Sequence, residues 1–328
     1  MGGRLLRVLR QPLTRALLAL LLVIGLGAVF HGERAFYGWD MHRDMLRQAS
    51  VFGILACGMT VVIISGGIDL SVGSVLGLVA VVFSIFSIHW GWPPWLAIPL
   101  ALMVGAACGA VCGGLIARFS IQPFIATLAM MVFARGLAKY LSGGKKVSTS
   151  ILLPDGQFET VDMPRIYDLI DSRILGGNLA VVTLVFLVCV IVSWLVLARL
   201  QPGRYVFAIG GNEESAHLSG VPVALVKVIA YAMCGLFAAV AGICQAAQEY
   251  QGDPEAGVSY ELTAITIVVI GGTNLMGGRG SVLLTLLGTL TIGYLEKVLS
   301  INAVPEANRL MLTGAIVIVA VLLQRSKK

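Results

Sequence analysis

Ten apolar stretches alternate with short polar segments along this chain: residues 13–31, 45–65, 71–89, 95–117, 122–142, 178–198, 223–248, 258–273, 280–299 and 307–324. A helix needs about 20 apolar residues to cross a bilayer, and most of these stretches come close to that. The pattern predicts an all-α polytopic membrane protein of about ten transmembrane helices, with residues 1–328 forming a single transmembrane domain. Because 258–273 is short and bounded by glycines, a count of eight or nine stays open. The longest polar interruption, 143–177, is read as an outer loop that is either a connector or a docking platform. The segment 199–222 is read as a loop on the opposite side.

Two apolar stretches are broken by polar, glycine-containing runs. The first is Gly66-Gly67-Ile68-Asp69-Leu70-Ser71-Val72-Gly73. Non-helical polar backbone survives near lipid only when it is buried in protein or lines a wet cavity. Asp69 and Ser71 can cap the next helix, or stand beside a polar solute with the positive end of that helix. The second break, Gly271-Gly272, lies in VVIGGTNLMGGRGSVLL and echoes VIISGGIDLSVGSVLG around Gly66 and Gly67. Paired interrupted helices in two halves of a transporter point to its pathway.

Composition narrows the class. The chain is 58% hydrophobic and only 12% charged, against roughly a quarter charged in soluble domains. Its 39 glycines suit close helix approach in lipid. The net charge of +6 gathers in short basic clusters flanking apolar segments, Arg4–Arg15 and Arg325–Lys328, and so reads as membrane anchoring, with no nucleic-acid partner. The first apolar run follows a basic region without a small-x-small cleavage signal, and is read as an uncleaved helix. Placing the N-terminus inside puts Arg118, Arg199, Arg204, Lys227 and Arg279 with the basic termini on the cytoplasmic face. Both termini are then cytoplasmic. The six cysteines all fall in apolar segments and read as small buried side chains, and the four histidines show no metal spacing.

Candidate functional residues fall in three further places. In 203–221, Asn212 is a good N-cap, Glu213 and Glu214 suit a first helical turn, and Gly220 with Pro222 ends the element. This predicts a short exposed helix of about two turns, either a plain connector or a rigid docking piece for a soluble partner. Arg135 with Lys139 either faces the bundle or snorkels outward. Gln245, Gln248 and Glu249, followed by Tyr250, Gln251 and Asp253, either meet a hydroxylated solute or form a solvated loop. No P-loop G-x-x-x-x-G-K-S/T occurs, nor any nucleophile elbow, H-E-x-x-H or dinucleotide fingerprint, so an enzymatic reading has no support and no catalytic residue or metal ligand is assigned. An ion-coupled secondary transporter is the alternative. It needs intramembrane acids, and Asp69 is the one strong mid-chain candidate.

Four blocks carry a resemblance: GMTVVIISGGIDLSVGSVLGL (58–78), QPFIATLAMMVFARGLAKYLSGG (122–144), GRYVFAIGGNEESAHLSGV (203–221) and GVSYELTAITIVVIGGTNLMGGRGSV (257–282). Together they resemble sugar-importing ABC permeases of the ribose/xylose/galactose class over about residues 45–324. The resemblance implies a type II importer-like permease bundle in a bacterial inner membrane, fed by a periplasmic sugar-binding protein. It also implies a second permease subunit, identical or paralogous, and a cytoplasmic ATPase that holds ATP and magnesium, with no cofactor on this chain. Gly203, Arg204, Gly210, Gly211, Asn212, Glu213, Glu214, Ser215, Ala216, Leu218, Ser219 and Gly220 match the family's ATPase-coupling segment. Gly66, Gly67 and Gly73 match its signature near the path, where Asp69, Ser71, Arg135 and the outer polar cluster are the candidate path residues. The chain departs from the family at Thr263, where an acid often follows the Tyr-Glu pair.

Overall fold

A computed structural model describes residues 11–152 and 157–324. The basic clusters at 1–10 and 325–328 used for orientation, and Pro154 and Asp155 of the outer loop, lie outside those residues. Among the described residues, ten helices of at least 12 residues occupy the apolar stretches: α1 (Pro12–Val29), α2 (Trp39–Ile64), α3 (Val72–Ser84, with a π turn Ile85–His89), α4 (Pro94–Phe119) and α5 (Pro123–Ser142). After the outer loop with its short helix α6 (Arg165–Asp171) come α7 (Val181–Arg199), the short helices α8 (Gln201–Gly211) and α9 (Glu213–Leu218), then α10 (Val223–Glu249), α11 (Tyr260–Gly271), α12 (Val282–Ile301) and α13 (Glu306–Gln324). Among the described residues, eight helices are long and apolar enough to cross a membrane. The 12 residues of α11 rise only about 18 Å and cannot.

Helix α10 is the axis of the bundle, packing on α2, α3 and α4. Its seam with α4 is made of small residues at four-residue spacing. A Cβ on Gly109 would stand 2.1 Å from the Tyr231 carbonyl oxygen, and one on Gly235 would stand 2.2 Å from that of Gly105. Without a hydrophobic force between helices in lipid, such backbone-to-backbone approach is how they gain contact. All six cysteines are buried and free.

The start of α2 at Trp39 precedes the apolar stretch by two turns, because its polar residues have partners in the outer loop. Arg47 pairs with Asp171, Arg173 with Asp44 at 2.6 Å, and Arg43 donates to the Gly177 carbonyl at 2.9 Å. That loop is structured. It holds two antiparallel pairs, β1 (Ser150–Leu152) with β2 (Phe158–Thr160) and β3 (Arg173–Ile174) with β4 (Leu179–Ala180), the first in register at Ile151 opposite Glu159. Helix α6 plants Tyr167 in the bundle, where its hydroxyl lies 2.8 Å from Ser84 and 3.1 Å from Ser87 and its ring stacks on Phe83. Burial pushes the Tyr167 hydroxyl up to about 12.

Candidate translocation path and coupling surface

The break after α2 is built by local chemistry. Gly66, at φ +85°, ends the helix. Asp69 then folds back so that one carboxylate oxygen accepts from the Ser71 amide at 2.9 Å and from its hydroxyl at 2.6 Å. Asp69 and Ser71 are each 1% exposed, and the other Asp69 oxygen has no partner. Cys234 of α10 stands beside this carboxylate, and the Tyr231 hydroxyl lies against Gly67. Asp69 and Ser71 are thus enclosed between α4 and α10, about 12 Å along α10 from its start, while Gly66 at the opening of the break is exposed.

A second break, between α10 and α11, enters from the opposite side. Residues 250–259 descend until Gly257 meets Gly73, so that the N-terminal ends of α3 and α11 face each other. A Cβ on Gly73 would lie 2.2 Å from the Gly257 carbonyl oxygen and 2.4 Å from the Glu261 carboxylate. An acid in the first turn of α11 offsets two converging helix dipoles. Arg135 of α5 holds this arrangement through backbone carbonyls. It donates to Pro254 and, at 2.8 Å, to Ala256, and reaches Gly73 at 3.4 Å. Four residues on, Lys139 pairs with Glu255 at 2.6 Å. Of the two readings for Arg135, the structure shows the side chain facing the bundle as a clamp.

The sequence echo has a structural counterpart at the C-terminal end of α2, where three glycine-rich segments meet. Gly278 donates to the Ile64 carbonyl at 2.9 Å. A Cβ on Gly210 would stand 1.8 Å from that carbonyl oxygen and 2.5 Å from the Gly278 nitrogen. One on Gly277 would stand 2.9 Å from Gly66. Gly271 instead packs on Leu284 of α12, and Gly272 caps α11 beside Pro12 of α1.

The segment 199–222 therefore holds two helices where the sequence indicated one. Pro202 opens α8, and Gly203 packs its backbone onto Val196 and Leu197 of α7, leaving Arg204 exposed. Asn212 separates α8 from α9, its side chain accepting from the Ser215 amide at 2.8 Å. Glu213 binds Lys227 of α10 at 2.6 Å. Ala216 is buried and anchors α9, while Glu214, Ser215, Leu218, Ser219 and Gly220 are exposed, Leu218 at 80%. The result is a rigid, solvent-facing rod tied to α7 and α10 and, through Gly210, to the glycine junction.

On the opposite face a cavity of about 380 Å³ opens between α2, α10, α11, α12 and α13. That is within the roughly 300–1,000 Å³ of small-molecule clefts. Gln48, Gln245, Gln248, Ser259, Tyr260, Thr263 and Thr289 give it hydrogen-bonding groups, over an apolar floor that includes Phe52 and Ile267. Its charged wall residues, Glu296 and Arg309, pair with each other at 3.8 Å. Gln245 also donates to Glu249, which is exposed and off the cavity wall. Asp253 turns away to Lys146 at 3.0 Å, and Tyr250 to Asp168 at 3.1 Å. The structure therefore places Gln245 and Gln248 on the cavity, and Asp69, Ser71, Arg135 and Glu249 outside it. Gln48, Thr289 and Ser259 join the wall although nothing in their local sequence marked them.

A bundle of helices long and apolar enough to span a membrane, with two opposed breaks, a cavity on one face and a short exposed helix on the other, is the architecture of a membrane transport subunit. The family described as the branched-chain amino acid transport system / permease component matches residues 41–321, and the chain belongs to that permease family. The ribose import permease protein of Escherichia coli K12 is 37% identical over 317 residues, covering 96% of this chain and 94% of that protein. The ribose import permease of Bacillus subtilis is 39% identical over 284 residues, 87% and 84% of the two chains. The autoinducer 2 import system permease of Yersinia enterocolitica is 38% identical over 271 residues, 82% and 78%. No solved structure gives a significant match. The chain is a permease component of an importer, a transport subunit rather than an enzyme.

Proposed function

We propose that this chain is the transmembrane permease of an ATP-binding-cassette importer for a monosaccharide or related polyol. The observation that carries the reading is the outward cavity, whose uncharged polar lining is amide and hydroxyl. Such groups suit a neutral polyhydroxy solute, and they bind it weakly enough to let it go. Ribose import by relatives at 37–39% identity supports the same class.

On this reading a periplasmic binding protein delivers the sugar to the cavity face. A second permease subunit, a second copy or a paralogue, completes the path. A separate cytoplasmic ATPase holds ATP and magnesium and engages α9. Movement of α9 reaches the inner end of α2 through Gly210 and Gly278, and the two buried breaks are the places where helices can tilt without exposing unpaired backbone. The protein resides in a bacterial inner membrane with both termini cytoplasmic. The packing of Pro12 beside Gly272, on the face of α9, supports that orientation, as does the lysine and arginine bias.

Radiolabelled ribose uptake tests this, in cells that lack other ribose importers and express the whole system. Saturable uptake, inhibited by unlabelled pentoses or hexoses and untouched by leucine, is expected. Competition by leucine with none by any sugar would overturn the substrate class.

A further inference from the structure

The loop between α11 and α12, residues 273–280, has a solvent-facing apolar tip that the packing of the permease does not use. Met276 is 83% exposed, more than Leu218 at 80%. The loop is a built turn. The Asn274 side chain accepts from the Met276 amide at 3.1 Å and donates to the Gly277 carbonyl at 3.2 Å, and the Asn274 amide donates to the Arg279 carbonyl at 2.9 Å. Gly277 and Gly278, both at positive φ, fix it against α8. Their Cβ positions lie 2.9 Å from the Gly210 carbonyl oxygen and 3.0 Å from Gly211. Gly278 is further bonded to Ile64. Met276 is therefore presented one residue from the point where α8 ends, and α9 starts two residues beyond that point.

We infer that the loop 273–280, with Met276 as its anchor, is a second docking contact for the ATPase beside α9. The inference rests on the importer reading above. Three observations select this occupant. The loop stands on the face of α9 and opposite the outward cavity. The six residues of α9 rise only about 9 Å, so Met276 and Leu218 fit within one partner's share, roughly 800 Å², of a standard interface. Exposed Arg279 lies three residues on in the same loop, and exposed Asn212 and Glu213 follow the Gly211 contact directly in sequence, a polar setting that suits a protein surface better than acyl chains. A flexible methionine at such a tip makes an adaptable anchor, and methionine is enriched in protein interfaces. The contact also has a mechanical consequence. An ATPase that grips both α9 and Met276 holds the two sides of the glycine junction at once, so its movement reaches α2 and α11 together.

The test is site-specific photo-crosslinking with p-benzoylphenylalanine in cells expressing the complete importer. The probe replaces Met276 in one strain, Leu218 in a second, and Tyr140, 82% exposed near the outer end of α5, in a third. Adducts from positions 276 and 218 to a subunit identified by mass spectrometry as carrying a P-loop, with none from 140, are expected. An adduct from 218 without one from 276 would overturn this inference and leave the importer reading standing. Adducts from neither would overturn both. An adduct from 276 to lipid or to a second permease alone would also overturn it. In the purified complex, Met276→Asp should lower sugar-stimulated ATP hydrolysis about tenfold with an unchanged melting temperature, and Met276→Leu should restore it. Hydrolysis unaffected by Met276→Asp would refute the contact.

Discussion

Two adjacent glycines at the end of α8 give opposite predictions. A methyl group on Gly210 would stand 1.8 Å from the Ile64 carbonyl oxygen and 2.5 Å from the Gly278 nitrogen, both backbone atoms. The first distance is roughly 1.5 Å inside van der Waals contact, so α8 must shift away from α2. Overpacking of this kind costs about 1–3 kcal/mol. The shift also strains the Gly278–Ile64 hydrogen bond, worth about another 1 kcal/mol. Gly210→Ala should therefore weaken the joint by about 2–4 kcal/mol, or roughly 30- to 1,000-fold in its equilibrium. On Gly211 the same methyl meets nothing within 4 Å, and the residue sits in the last turn of a helix. Gly211→Ala should be neutral, or stabilising by about 0.5 kcal/mol through loss of unfolded-chain freedom. The assay is thermal melting in mild detergent, followed by size-exclusion, alongside sugar uptake. Gly210→Ala should melt early and import poorly, while Gly211→Ala should match the parent. Identical behaviour of the two variants would refute the glycine junction as a packed joint.

Arg135→Met leaves the Pro254 and Ala256 carbonyls without their guanidinium donor and should lower both melting temperature and uptake. Arg135→Lys should recover only part, since a single ammonium nitrogen cannot serve the Pro254 and Ala256 carbonyls from one side and reach Gly73 as the second guanidinium nitrogen does; a fully stable, active Arg135→Met would sink the clamp. Asp69→Asn keeps the acceptor for the Ser71 amide and hydroxyl and should retain ATP-dependent import with an unaltered pH profile. Asp69→Ala loses both bonds and should destabilise by about 1–3 kcal/mol; abolished import in a well-folded Asp69→Asn protein would argue instead for a proton site. Gln248→Ala should raise the half-saturating sugar concentration without changing the melt, and Thr263→Asp, placing a charge on the cavity wall in the first turns of α11, should alter selectivity among sugars; competition assays that leave both at parent values would remove the cavity from the path.

The long elements were legible because hydrophobic length in a bilayer is a strong constraint, and α9 was legible because capping is local: Asn212 and the two acids after it act within one turn. Helix α8 was obscured by Gly203, Gly210 and Gly211, residues that weaken helix propensity and are there to let α8 press against α7 and α2. The meaning of the two breaks was only half visible. Gly66 and Gly271 read as punctuation in the sequence, but Gly66 meets Gly277, a contact across some 210 positions with no local signature. Arg135 showed the same limit, since carbonyls 119 and 121 residues away satisfy it. The outer loop hid its order in two short hairpins and one anchoring tyrosine.

What drives transport separates an ATP-powered importer from an ion-coupled carrier most directly. The permease, purified with the ATPase that accompanies it and with its binding protein, is reconstituted so that the α9 face meets a lumen loaded with ATP. Labelled sugar is then followed with and without a proton ionophore. Uptake that requires hydrolysable ATP, ignores the ionophore and collapses in a Glu214→Arg plus Leu218→Arg variant is the predicted result. Uptake that proceeds without ATP and stops with the ionophore would contradict it.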